Sequence, residues 1–119
     1  LNFTQILIEK NPEDVFAINI HAWALLANKK LIEAEEVLNE ALKLEPENPR
    51  TFLNLGLLHE EKSEFQRAIQ MYQKSYELGK NYKNFSSLIN LAAEKYNELL
   101  EKELKPEMPE APKVPEHSP

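Results

Sequence analysis

The chain has 119 residues, 42% of them hydrophobic, with no cysteine, two glycines, eight prolines and a formal charge of −6. At roughly 100–150 residues per domain this is one domain's worth of chain, and the absence of cysteine excludes a disulfide scaffold, thiol catalysis and cysteine-ligated zinc or iron–sulfur centres. Two glycines are too few for a phosphate-cradling loop, and twenty acidic against fourteen basic residues argue against nucleic acid or an anionic membrane surface as partner. No apolar run of about 18 residues is present to span a bilayer. The chain opens on Leu1, without a charged-then-apolar leader, and reads as a piece of a longer protein. The compartment is left open, with the cytoplasm preferred.

Between the prolines and glycines, apolar residues recur at helical spacing. Asn-Gly and Asp-Gly hairpin turns are absent, so the pattern predicts an all-helical chain. Six helices are predicted. The first, residues 2–10, carries Phe3, Ile6 and Leu7 and stops ahead of Pro12, whose ring disfavours helix in the residue before it. The second, 13–28, opens on Glu13 and Asp14, which suit the positive end of a helix dipole. The third, 31–44, sets Leu31, Ala34, Val37, Leu38, Ala41 and Leu42 against a face of Glu33, Glu36, Glu40 and Lys43. The fourth, 49–62, has Asn48 as cap and Pro49 at the first position, where a missing N–H does no harm. The fifth, 65–78, ends at Gly79, expected in the left-handed conformation of a helix terminus. The sixth, 84–104, is the longest, with Asn84 as cap and Phe85, Leu88, Ala92, Tyr96 and Leu99 on one stripe.

Shifting the sequence by 34 residues lays Pro12 on Pro46, Ile18 on Phe52, Ala22 on Gly56, Ala34 on Ala68, Leu38 on Tyr72, Ala41 on Ser75 and Leu44 on Leu78. Apolar falls on apolar, small on small, breaker on breaker. A period of this length with two helices per unit marks a helical solenoid, whose units cannot bury their apolar faces alone and so stack on one another. The residues resemble the tetratricopeptide repeat family. In Pro49 to Tyr82, Phe52 stands for the family's Trp, Leu55-Gly56 for its Leu-Gly, His59 for its Tyr, Ala68 for its Ala and Tyr72 for its Phe, while Lys80 replaces the closing proline. Val15 to Asn48 keeps Ala34, Leu38, Ala41 and Pro46. The resemblance implies an all-α short solenoid over residues 1–104: repeats at 15–48 and 49–82, a partial unit at 1–14 and a C-terminal capping helix at 84–104. A Pro-rich tail follows at 105–119.

The resemblance also implies where a ligand lies, in the concave groove lined by the first helix of each unit. It places Phe16, Asn19, Ile20, Trp23 and Ala27 there, then Arg50, Leu53, Asn54, Leu57 and Glu61. If the last helix continues the array, Asn84, Ser87, Leu88, Leu91 and Lys95 join them. Phe16, Ile20 and Trp23 share one helical face. The groove is expected to be apolar near Trp23, Leu53 and Leu57, with Asn19, Asn54 and Arg50 as polar handles. Trp23 and Phe16 also fit a second reading as core residues. One subset of the family holds the terminal carboxylate of chaperone peptides with Lys, Asn and Arg groups; here only Asn54 matches, since Asn19 stands in place of a Lys and Trp23 in place of an Asn.

His21 and His59 occupy packing positions without accompanying acidic or thiol ligands, and no nucleophile, base and orienting partner occur together. The sequence therefore calls for no metal, cofactor or catalytic role. In the tail, Pro106, Pro109, Pro112 and Pro115 recur every third residue, the period of a polyproline II helix. Glu107, Glu110, Lys113 and Glu116 form a second face, and Met108, Ala111, Val114 and His117 a third. Such a segment serves as a spacer or lies in an apolar groove. Two Lys and three Glu give the tail −1, so −5 belongs to the helical body. The expectation is a non-enzymatic module binding a peptide or protein segment within a larger scaffold or assembly protein. The alternative is self-association through stacking of open repeat ends or docking of the tail.

Overall fold

The computed structural model describes residues 13–104, together with Gln5 and Glu9. The predicted helix at 2–10, the partial unit 1–14 and the tail at 105–119 therefore fall outside the described residues, apart from helical Gln5 and Glu9 and from Glu13 and Asp14. Among the described residues the fold is all-helical. Five helices follow one another: α1 (Val15–Ala27), α2 (Leu31–Leu44), α3 (Pro49–Glu61), α4 (Phe65–Gly79) and α5 (Ser86–Leu104), the last preceded by a single 3-10 turn at Lys83–Phe85. Each short connection folds a helix back on its predecessor, so α1 packs on α2, α3 on α4, and α4 on α5. The pairs are joined through α3, which also meets α1 and α2.

The 34-residue period recurs in the local chemistry that starts and ends each helix. Asp14 and Asn48, one period apart, both take an extended conformation and cap the helices that follow. The Asp14 carboxylate accepts from the N–H groups of Phe16 at 3.0 Å and Ala17 at 3.3 Å, and Asn48 Oδ1 accepts from Arg50 N–H at 2.8 Å. This places the start of α1 at Val15 rather than residue 13, because an extended Asp14 leaves its side chain free to satisfy the first orphan donors. At the other ends, Lys29 and Ser63, again one period apart, both have φ of 60°. In each turn two N–H groups reach back into the helix just ended: Lys30 to the Leu25 carbonyl at 2.8 Å and Lys29 to Leu26 at 3.0 Å, then Glu64 to His59 at 2.8 Å and Ser63 to Glu60 at 3.0 Å. These are Schellman motifs, and their left-handed residue is more often glycine. Ser63→Gly is expected to raise stability by about 0.5 kcal/mol, since a side chain at positive φ costs about 1–2 kcal/mol and glycine's extra unfolded-state freedom offsets part of the gain. Urea titration measures it. Lys29→Gly gains less because it also removes an ion pair with Glu61 at 2.9 Å.

The small and large positions that match by the shift are also buried alike. Ala34 and Ala68, Leu38 and Tyr72, and Ala41 and Ser75 are all fully buried. Two cores share α3 between them. One gathers Ala22, Leu25, Leu26, Ala34 and Leu38 around Phe52, Leu55 and Leu58. The other gathers Ala68, Tyr72, Leu88, Ile89, Ala92 and Leu99 around Leu53.

The two glycines serve close approach. A Cβ on Gly56 would enter the Tyr72 ring. Gly79 corrects the sequence expectation: it is not a left-handed cap but the last residue of α4, and no glycine has positive φ. A Cβ there would stand 2.5 Å from Ile89 Cδ1 and 3.2 Å from Pro49 Cβ, so the residue is small because α5 and the start of α3 converge on it. Asn84 is likewise not a cap; it lies within the 3-10 turn, and α5 starts two residues later at Ser86.

Candidate functional site

The first helices of the two pairs and the last helix present one face each to a common concavity. Helical spacing brings Asn19, Ile20 and Trp23 of α1 together with Arg50, Leu53 and Asn54 of α3. Asn84, Ser87, Leu88 and Leu91 close the third side, and the cavity measures about 480 Å³. Its floor is apolar: Leu53 and Leu88 belong to the core, while Trp23 and Leu91 remain 57% and 41% exposed. That exposure is what a rim residue shows.

The polar groups behave less simply than expected. Asn19 and Asn54 are buried, and they bond to each other rather than standing open as handles. Asn54 Nδ2 donates to both the side-chain and backbone oxygens of Asn19 at 3.0 Å, and Asn19 Nδ2 donates to Thr51 Oγ1 at 2.9 Å. A buried amide needs such partners, and the pairing fixes the register of α1 against α3. Asn54→Leu is expected to destabilise by about 1–3 kcal/mol, because it strands the buried side-chain oxygen of Asn19; thermal unfolding followed by circular dichroism reports it.

Arg50 is the cation of the groove. Its guanidinium carbon sits 5.3 Å from the Phe16 ring centroid and 5.7 Å from that of Phe85. Contacts of this kind contribute about 0.5–1 kcal/mol each at exposed sites, and here they hold Arg50 between α1 and the 3-10 turn. Phe16 thus takes part by fixing Arg50, without itself lining the cavity.

Leu57 departs from the expectation. It is half-buried and packs against both cores instead of lining the groove. The cause is α5, which is tied to the end of α3 where Lys95 Nζ meets Glu60 Oε1 at 3.3 Å. The same carboxylate oxygen accepts from the Tyr72 hydroxyl at 2.7 Å, so Glu60 links three helices. Burial, and then the bond to Glu60, push the Tyr72 pKa upward. Glu61 pairs with Lys29 instead of facing a ligand.

The histidines hold structural positions. His21 is buried, which pushes its pKa down despite the opposing charge of Glu33. His59 Nδ1 lies 2.7 Å from Glu64 Oε1 across the turn, and this bond lowers the Glu64 pKa. Among the described residues, no three His, Asp or Glu side chains converge as metal ligands, and no helix is long and apolar enough to cross a membrane.

Stacked two-helix units with a 34-residue period, shared core positions and matching caps define a helical-repeat protein. The family model for the tetratricopeptide repeat matches residues 17–48 and 49–82, more than half of the chain, and the chain belongs to that family. Repeats of this family generally mediate protein–protein interaction and are typically non-enzymatic. A comparison with curated proteins finds no match.

Proposed function

We propose that this chain is a non-enzymatic binding module that takes an apolar or amphipathic segment of a partner protein into the groove between α1, α3 and α5. One observation carries the reading: Ile20, Trp23, Leu53, Leu88 and Leu91 converge on a single cavity whose rim keeps a tryptophan more than half exposed. About 480 Å³ suits one or two large side chains, and an exposed aromatic on a rigid face is the usual anchor of such contacts. Arg50, fixed between two rings, presents N–H donors to the carbonyl oxygens of the bound segment. With a body charge of −5, neutral or basic segments approach more readily than acidic tails.

The test is a displayed library of random peptides selected on the full chain. Recovered peptides should share apolar anchors, shift the emission of Trp23, the only tryptophan, and lose binding to a Leu91→Glu variant. Peptides that bind wild type and Leu91→Glu equally would reject the groove.

A further inference from the structure

A second concavity lies on the other face of α5, in its seam with α4. It encloses about 320 Å³ and is lined by Gln73, Tyr76 and Glu77 of α4 and by Ala93, Tyr96 and Asn97 of α5. Both helices use the same spacing, and each brings one tyrosine and one carboxamide to the seam. Tyr76 is exposed and Tyr96 half-buried. The carboxamides of Gln73 and Asn97 make no hydrogen bond with the described residues, in contrast to the mutually bonded Asn19 and Asn54.

Paired aromatics flanked by unoccupied donors suit one ligand class in particular. A polyproline II strand has no internal hydrogen bonds, so its carbonyls take donors from outside, and its proline rings pack against aromatic side chains. The chain itself carries prolines at the period of such a strand, Pro106, Pro109, Pro112 and Pro115. It begins where α5 ends, at Leu104. Tyr96 lies eight residues back along α5, about 12 Å at the helical rise. The fifteen residues 105–119 reach about 45 Å as polyproline II, so a tail that doubles back covers the seam with length to spare. The concave groove also lies within reach, yet it offers a single aromatic ring, Trp23, where the seam pairs two tyrosines.

We infer that residues 105–119 dock in the α4–α5 seam of their own chain, with the proline face against Tyr76 and Tyr96 and tail carbonyls accepting from Gln73 and Asn97. The concave groove stays open in this arrangement, so the inference does not rest on the function proposed above.

The experiment compares proton–nitrogen and aromatic proton–carbon correlation spectra of the full chain with those of a variant carrying alanine at Pro106, Pro109, Pro112 and Pro115. Docking predicts that the side-chain amide signals of Gln73 and Asn97 and the ring signals of Tyr76 and Tyr96 move in the variant, while the Trp23 indole signal stays in place. A Tyr76→Ser variant, altered only at an exposed ring, should move the backbone signals of residues 107–116. Unmoved Gln73 and Asn97 signals overturn the inference, as does a change centred on Trp23, which would put the tail in the concave groove. A change that vanishes on dilution also overturns it, because the tail would then come from a second copy.

Discussion

Gly56→Leu is expected to destabilise the protein by about 3 kcal/mol or more, enough to abolish the folded state if stability is marginal, whereas Lys62→Leu on the exposed end of the same helix changes the melting temperature little. The cause is geometric. Even the first carbon of a side chain at Gly56 enters the space of the Tyr72 ring, and that ring is fully buried in the second core with its hydroxyl held by Glu60. Gly56→Ala makes the sharper test. Helix propensity alone would favour alanine by about 1 kcal/mol, so a net loss isolates the steric term. The first repeat supplies the compensation, since Ala22 and Leu38 stand where Gly56 and Tyr72 stand in the second. The double variant Gly56→Ala, Tyr72→Leu should therefore be less destabilised than the sum of its single changes, with a coupling of about 0.5–3 kcal/mol in denaturant titrations. Strict additivity would show that the two side chains do not share one space.

The second large effect concerns binding without folding. Trp23→Ala should weaken a groove-selected peptide by about 2 kcal/mol or more, roughly 30-fold in Kd, and leave the melting temperature nearly unchanged because the ring is 57% exposed. Leu53→Ala serves as the contrast. Leu53 lines the same cavity but belongs to the second core, so its truncation should lower both affinity and stability, the latter by about 2–5 kcal/mol. Equal loss of stability in both variants would return Trp23 to the core.

The repeat was legible because every feature that sets it is local: a cap residue, a turn, a small residue facing a large one, each recurring after 34 positions. Asn48 as cap and Ala34 and Ala68 at the packing positions needed only sequence spacing. What sequence missed depends on meetings between distant segments. Gly79 looks like a terminator until Ile89 and Pro49 are seen crowding it. Leu57 sits one turn beyond Leu53 on a groove-facing register, and only the arrival of α5 withdraws it. Asn19 and Asn54 read as open polar handles because their mutual bond spans 35 residues. Tyr76 and Tyr96 carried no joint signal, since Tyr96 fitted the stripe of its own helix and Tyr76 lies 20 residues away in sequence; the seam exists only where α4 and α5 lie side by side.

Glu60 gives the fold a cooperative joint. One carboxylate oxygen of α3 receives the phenol of α4 and the ammonium of α5, so none of these three helices can swing away without leaving a partly buried charge with fewer partners. Amide hydrogens in α5 should then exchange through the same opening event as those in α3 and α4, which would make the last helix part of the second unit's folding cooperativity rather than a fraying end.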